Sequence, residues 1–127
     1  MAEAVLDASA VLAFLKGEPG GEAVENVLPR SLLSAVNAAE VITRLIDRGA
    51  AADFASEIVG NLPCEVVGLD RQLGFRAGEL REITRPLGLA LGDQACLALA
   101  EREGLPAITA DRGWSKLGLG IDIRLIR

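Results

Sequence analysis

Short apolar segments of strand character alternate along this chain with longer segments whose apolar residues recur at helical spacing. The predicted strands cover residues 4–8, 31–34, 64–70, 106–111 and 121–127. The predicted helices cover residues 9–16, 21–28, 36–48, 50–61, 71–84 and 93–104. Strands that alternate with helices pair in parallel and carry the helices on both faces of the sheet. The sequence therefore predicts an α/β fold, a three-layer α/β/α sandwich with a central parallel sheet.

The composition fits one domain with an aliphatic core. Of the 127 residues, 50 % are hydrophobic but only 3 % are aromatic, so the core must consist mainly of Ala, Leu, Val and Ile. A chain of this length normally forms one domain, and no linker or repeat divides residues 1–127. No apolar stretch approaches the roughly 18 residues of a membrane span. Glu3 lies where a secretory signal would be positive, so we expect a cytoplasmic protein.

The chain contains no histidine, which removes the commonest general base and the commonest transition-metal ligand. Any hydrolytic chemistry would therefore depend on carboxylates or on a hard metal ion. The two cysteines suggest no chemistry, and Cys96 is expected to be a small buried thiol in an apolar helix. The net charge of -5 by itself argues against a nucleic-acid partner.

Four acidic residues lie at or near the predicted ligand-binding edge of the sheet. Asp7 follows the first strand and Asp111 follows the fourth, and α/β folds bind ligands beyond such carboxyl ends. Asp93 opens a buried helix, and Glu40 lies on the helix after the second strand. Structural roles would also explain them: Asp7 and Asp93 as helix caps, Asp111 in an Asx-turn, and Glu40 paired with Arg44 on a solvent-exposed face. Only the four together indicate a site.

The helix at residues 36–48 is strongly amphipathic in pattern. On a helical wheel one face carries the apolar residues Val41, Ile42, Leu45 and Ile46. The other face carries Asn37, Glu40, Arg44 and Asp47. The pattern therefore places Glu40 on the polar face of this helix, where a solvent-exposed position is the alternative to a site role.

Four segments carry a resemblance to a known family. In chain order they are VLDASAVLAFL, SAVNAAEVITRL, LGDQACLALA and AITADRGWSKL, and the likeness extends from Val5 to the last strand. Together they resemble the PIN-domain nucleases, most closely the VapC-type toxins of bacterial toxin-antitoxin modules. The resemblance carries over the acidic site as Asp7, Glu40, Asp93 and Asp111, with Ser9 and Thr109 as supporting hydroxyls. Gln94 departs from the pattern, since many relatives have Arg there, and this affects a local ion pair rather than the site.

The resemblance implies an endoribonuclease that depends on Mg²⁺ or Mn²⁺ and leaves a 5′-phosphate and a 3′-hydroxyl. It also implies a homodimer and a cognate antitoxin as inhibitor. The residue types agree, because hard ions prefer carboxylate oxygens and can activate water against a phosphodiester. Asp7 and Asp93 are expected to hold the ion directly. Asp111 and Glu40 would orient water or bind a second ion, and both alternatives remain open.

The negative net charge does not exclude a nucleic-acid partner if four of the carboxylates belong to a metal site. Without the four carboxylates the net charge of -5 becomes -1, and without a metal their repulsion should raise some carboxyl pKa values. Arg112 and Lys116 follow Asp111, and Arg44 lies one turn beyond Glu40, which makes these three cations candidates for phosphate contacts. Few aromatic residues are available for base stacking, so a folded RNA such as tRNA or rRNA is the expected substrate.

Two alternatives belong to other functional classes. A receiver-type phosphoacceptor domain also has an acidic Mg²⁺ site. However, it requires adjacent acidic residues after the first strand and a lysine after the last strand. Asp7 is followed by Ala and Ser, and no lysine lies beyond Lys116. A catalytically silent PIN-like binding module would normally lack one of the four acids, all of which are present.

Overall fold

The computed structural model describes residues 1–127 and contains one five-stranded sheet. The strands are β1 (Ala4–Leu6), β2 (Ser31–Ser34), β3 (Glu65–Val67), β4 (Ala107–Thr109) and β5 (Ile123–Leu125). They lie in the order β3-β2-β1-β4-β5, and every neighbouring pair is parallel. The chain leaves β1 towards one edge and later returns to build the other half. The strand order therefore reverses at β1, which is where open α/β sheets bind ligands.

Seven α-helices surround the sheet. They are α1 (Ala8–Lys16), α2 (Gly21–Val27), α3 (Ala35–Asp47), α4 (Ala52–Gly60), α5 (Arg71–Glu79), α6 (Arg81–Thr84) and α7 (Leu91–Glu103). Short 3₁₀ turns follow at Leu28–Arg30, Arg85–Leu87 and Arg112–Lys116. None of the helices combines the length and the apolar character needed to cross a bilayer.

The sheet separates two apolar cores, one on each face. Successive residues of a strand point to opposite faces, so Val5 joins the core beneath α5 and α7 while Leu6 joins the core beneath α1 to α4. Leu32 and Leu33 on β2 divide in the same way. Both faces of the central strands are therefore apolar, as a parallel sheet covered by helices requires. The predicted three-layer α/β/α sandwich is confirmed.

The strand order decides against one alternative. Receiver domains have the strand order 2-1-3-4-5, in which only the second strand lies on one side of the first strand. Here both β2 and β3 lie on one side of β1, and β4 and β5 lie on the other. The receiver-type interpretation is therefore wrong for this chain.

Several element boundaries differ from those expected. The strand predicted at 64–70 is confined to Glu65–Val67 on the sheet edge, and the helix predicted at 71–84 is divided at the fully buried Leu80. The helix expected at 93–104 begins at Leu91, because the Asp93 carboxylate accepts a hydrogen bond from the Ala90 backbone nitrogen and caps the helix from inside. Tertiary packing and capping geometry, which periodicity does not report, explain these differences.

Replacing Gly104 by Ala tests the end of α7 in isolation. Gly104 has a φ of 65° and its N–H caps the carbonyl of Ala100, while a Cβ there would meet nothing within 4 Å. Backbone strain is therefore the main cost, and we expect the free energy of unfolding to fall by about 1 kcal/mol. Urea denaturation measures the change, and unaltered stability would contradict the left-handed cap.

Candidate metal centre

A cleft of about 380 Å³ opens at the carboxyl ends of β1 and β4. Asp7 follows β1, Asp111 lies two residues beyond β4, Glu40 projects from α3, and Asp93 lies in the first turn of α7. All four side chains line this cleft. The structure therefore brings together the four acidic residues singled out in the sequence, from four separate parts of the chain.

Asp7 is the most buried of the four, with 3 % of its surface exposed. Its Oδ1 accepts from the Ala10 backbone nitrogen at 2.8 Å, and its Oδ2 accepts from Thr109 Oγ1 at 2.6 Å. Ser9 Oγ lies 2.7 and 2.9 Å from the two oxygens. Ser9 also accepts from the backbone nitrogen of Ala110, so these hydroxyls join the ends of β1 and β4. Asp7 is thus held in one orientation by groups from both strands.

The acidic residues are electrostatically uncompensated. Burial raises the pKa of Asp7 from 3.8 to about 6, against hydrogen bonds from Thr109, Ala10 and Ser9 that lower it. Burial also raises the pKa of Asp93, and the negative charges of Glu40 and Asp111 add to this effect. None of the four acids belongs to an ion pair. The expected rise in carboxyl pKa is therefore present, although burial contributes more to it than repulsion does.

Local structural roles leave one carboxylate oxygen unused on three of the acids. Asp93 Oδ2 accepts from the Ala90 nitrogen and Asp111 Oδ1 accepts from the Gly113 nitrogen, both at 2.8 Å. Glu40 Oε1 accepts from Asn37 Nδ2 at 2.7 Å. The second oxygen of each group has no hydrogen bond within the protein. Capping therefore does not compete with a binding role, because each cap occupies only one of the two oxygens.

The donor set fits a hard divalent cation. Every acidic group in the cleft offers oxygen, and the chain offers no histidine, which favours Mg²⁺ or Mn²⁺ over Zn²⁺. No group of three acidic or cysteine side chains is arranged closely enough to form a complete metal site. Mg²⁺ retains several water ligands in proteins and needs few direct carboxylates. The residues therefore match such an ion in ligand type, although no three of them are grouped closely enough to hold one ion together.

The cations at the cleft differ in part from those expected. Arg44 lines the cleft and has no acidic partner, as a phosphate contact requires. Arg112 and Lys116 do not line it, and Arg112 Nε instead donates to the Arg127 carbonyl at 3.3 Å. Arg127 and Lys16 line the cleft in their place. The sequence contained a signal for Lys16, because it is the last residue of the helix that Asp7 caps. It contained none for Arg127, which reaches the cleft only through tertiary folding.

Glu18 pairs with both of the unexpected cations. Its carboxylate lies 3.2 Å from Lys16 Nζ and 3.3 Å from Arg127 Nη1. These two contacts lower the pKa of Glu18. Arg44 is therefore the one cation of the cleft that is not already engaged by an acidic residue.

Asn37 is a buried residue of the site that was not singled out in the sequence. It shares the polar face of α3 with Glu40, but it is only 1 % exposed. Its Nδ2 donates to Glu40 Oε1 and to the Gly92 carbonyl at 3.0 Å. The pair between Glu40 and Arg44, which was the alternative explanation for Glu40, is absent. The i, i+3 spacing of Asn37 and Glu40 was the available signal, but it is also compatible with an exposed pair.

Cys96 packs beneath the cleft as a buried free thiol, which confirms the expectation for this residue. Burial raises its pKa well above the ordinary value, and the charges of Asp7, Asp93 and Glu40 raise it further. Cys64 is also free and half-buried, and burial raises its pKa as well. Both thiols are therefore protonated at neutral pH and contribute no nucleophile.

A larger groove of about 790 Å³ lies between α5 and α7. Four of its five charged side chains form ion pairs, since Arg76 contacts Glu79 and Glu101 and Arg102 contacts the neighbouring Asp70 at 3.2 Å. The cleft at the strand ends is smaller, but four of its carboxylates lack such partners, namely Asp7, Glu40, Asp93 and Asp111. Uncompensated charge therefore identifies the smaller cleft as the candidate site.

The raised pKa of Asp7 predicts a pH-dependent stability in the absence of metal. Because the folded-state pKa of about 6 exceeds 3.8, the folded protein binds the proton more tightly. This contribution is complete below 3.8 and is lost as pH rises through about 6. Between pH 5 and 7.5 we expect the Asp7 contribution to fall by about 1 kcal/mol. Thermal unfolding in EDTA measures it as the difference between wild type and Asp7→Asn, and an equal pH dependence of the two proteins would contradict it.

Comparisons with known proteins agree with this architecture. The sequence profile of the PIN domain matches residues 4–119. No individually curated protein matches the chain with significance. A chain of the DNA-bound VapBC complex from Salmonella typhimurium aligns with a TM-score of 0.75 and 21 % identity over 100 % of both chains.

Two further solved structures share the fold. VapBC-1 from nontypeable Haemophilus influenzae aligns with a TM-score of 0.73 and 16 % identity, over 97 % of each chain. VapC20 from Mycobacterium tuberculosis, a sarcin-ricin loop cleaving toxin, aligns with a TM-score of 0.74 and 18 % identity, over 92 % of this chain and 96 % of VapC20. These identities are low, so the structures demonstrate a common fold, whereas the PIN-domain profile covers most of the sequence. The chain therefore belongs to the PIN-domain family.

Proposed function

We propose that this protein is a Mg²⁺- or Mn²⁺-dependent endoribonuclease that acts as the toxin of a toxin-antitoxin module. The observation that carries the proposal is the meeting of four carboxylates, none of them ion-paired, in one cleft at the carboxyl edge of the sheet. Membership of the PIN-domain family supports a nuclease. The likeness to VapBC complexes and to VapC20 supports a toxin.

Asp7 and Asp93 are the residues proposed to hold the ion. When bound, it would supply the positive charge that allows water to attack an anionic phosphodiester. The hydroxyls of Ser9 and Thr109 keep the Asp7 carboxylate in place, so that little reorganisation is needed. Glu40 Oε2 and Asp111 Oδ2 remain free to orient the attacking water or to serve as further ligands. The expected products are a 5′-phosphate and a 3′-hydroxyl.

The surroundings of the cleft favour a substrate that is recognised through its backbone and shape. Arg44 is free to contact a phosphate, and Lys16 and Arg127 lie on the same cleft. Trp114 is fully buried and none of the phenylalanines lines the cleft, so no aromatic platform for unstacked bases is present there. A folded RNA such as tRNA or rRNA therefore fits better than a featureless single strand.

A cognate antitoxin and a second copy of the chain are the proposed protein partners. The similar solved structures include VapBC complexes from Salmonella typhimurium and Haemophilus influenzae, which supports an antitoxin. The homodimer is carried over from the family resemblance alone. Light scattering on the purified protein tests it, and a monomer at all concentrations would contradict it.

Metal-dependent cleavage of RNA is the test of the proposed function. Purified protein is incubated with total RNA, tRNA or rRNA in Mg²⁺, in Mn²⁺ or in EDTA. We expect cleavage with either metal, none in EDTA, and recovery when excess metal is restored. Cleavage that survives EDTA would contradict the metal-carboxylate mechanism. Metal-dependent RNA binding without any cleavage would instead support the silent binding module.

A further inference from the structure

Asn37 connects two of the acidic residues through helices α3 and α7. It lies one turn before Glu40 on α3, and its side-chain amide reaches across to the first turn of α7, which carries Asp93. Nδ2 donates to Glu40 Oε1 at 2.7 Å and to the Gly92 carbonyl at 3.0 Å. The Asn37 amide nitrogen therefore donates both to the Glu40 carboxylate and to the backbone carbonyl of Gly92, next to Asp93.

The chemistry of the neighbours determines the orientation of this amide. A carbonyl and an ionised carboxylate only accept hydrogen bonds, so the amide nitrogen, and not its oxygen, must face them. The Asn37 oxygen is left buried without a partner. An unpaired buried carbonyl costs free energy, so this residue is not optimal for stability alone.

Gly92 completes the arrangement from the opposite helix. A Cβ at position 92 would overlap the Glu40 carboxylate, so the carboxylate occupies space that only glycine leaves open. Glu40 is thus confined between the Asn37 amide on its own helix and the backbone of α7. Its charge lies close enough to Asp93 to raise the pKa of that residue.

Gln94 provides an internal comparison. It is also a buried amide, and its Nε2 donates at 2.7 Å to the Ala77 carbonyl on another helix. Its side chain forms no hydrogen bond with any of the four acidic side chains. Gln94 and Asn37 therefore both join helices, but only Asn37 bonds a carboxylate of the cleft.

We propose that Asn37 is a positioning residue that, together with the absence of a side chain at Gly92, holds Glu40 beside Asp93 and thereby sets the geometry of the metal centre. This inference rests on the proposed metal-dependent function. It goes beyond that function because it assigns a role to a buried residue that does not line the cleft. Residues that orient metal ligands typically change metal affinity 10- to 100-fold when removed.

Mn²⁺ binding, measured by calorimetry without RNA, is the primary test. Asn37→Leu removes the amide and approximately keeps the side-chain size, and Gln94→Leu is the matched control. We expect Asn37→Leu to weaken Mn²⁺ binding about tenfold and Gln94→Leu to change it by less than about twofold. In a Glu40→Gln background, Asn37→Leu should cause no further loss, because it acts through Glu40. A purely structural role would not produce this dependence.

Gly92→Ala displaces Glu40 from the other side and leaves Asn37 in place. It provides the same test if Asn37→Leu fails to fold, and it too is expected to weaken Mn²⁺ binding. Gly104→Ala, at the far end of α7, should lower stability without changing Mn²⁺ affinity. Equal Mn²⁺ affinity in wild type, Asn37→Leu and Gly92→Ala would overturn the positioning role alone. An undiminished Asn37→Leu effect in the Glu40→Gln background would also overturn it. Failure of the wild type to bind Mn²⁺ would overturn the proposed function and this inference with it.

Discussion

Replacing Asp7 by Asn is expected to reduce RNA cleavage at least about 100-fold while making the metal-free protein no less stable. The activity falls because Asn has no negative charge with which to hold a divalent ion, whose contribution to catalysis is several kcal/mol. The stability is kept because Asn still accepts from the Ala10 nitrogen and can bond the hydroxyls of Ser9 and Thr109. The substitution also removes a buried negative charge. The rise of the Asp7 pKa to about 6 means that this charge destabilises the folded protein by about 3 kcal/mol at neutral pH.

Single-turnover cleavage and urea denaturation in EDTA measure the two effects. Asp122→Asn is the matched control, since Asp122 is exposed, pairs with Arg124 and does not line the cleft. It should leave both properties almost unchanged. Full activity in Asp7→Asn would remove Asp7 from the mechanism, and a large loss of stability would show that its charge is compensated in the folded protein.

Replacing Thr109 by Val is expected to lower cleavage 10- to 100-fold and to move the acid limb of the pH-rate profile to higher pH. Thr109 Oγ1 donates to Asp7 Oδ2 at 2.6 Å, and this bond lowers the Asp7 pKa against the effect of burial. Without it, Asp7 requires a higher pH to ionise and bind metal. Val has nearly the same shape, so the change removes the hydroxyl rather than the packing.

A pH-rate profile with saturating Mg²⁺ measures the shift, and Thr84→Val is the control. Thr84 is also fully buried, but its hydroxyl has no hydrogen-bond partner and does not contact the cleft. Its replacement should leave the profile unchanged. An unshifted profile in Thr109→Val would mean that this hydroxyl supports structure alone.

The capping roles and the site roles of the aspartates prove to be compatible. Asp7, Asp93 and Asp111 were each explicable as caps or turns, and the structure confirms such bonds for all three. The same residues line one cleft. Sequence spacing could not show that one carboxylate performs both roles. The two roles are compatible because each backbone nitrogen donates to only one of the two carboxylate oxygens.

The positions of Asn37 and Arg127 depend on tertiary contacts that local sequence patterns do not predict. Helical periodicity places Asn37 on the polar face of its helix but does not indicate that this part of the face is buried. The approach of α7 buries it, and this contact spans 55 residues of sequence. Arg127 reaches the cleft because β5 pairs with β4, which no local pattern near residue 127 indicates.

By itself, the sequence determined the alternation of strands and helices, the aliphatic core and the four acidic residues. These features depend on local periodicity and on the residue types at the ends of strands. Both can be read from a single segment of the sequence. Only the tertiary structure decided the strand order, the burial of Asn37 and the cations that share the cleft. Those depend on contacts between distant segments, where the free energy of packing outweighs the preference of any one segment.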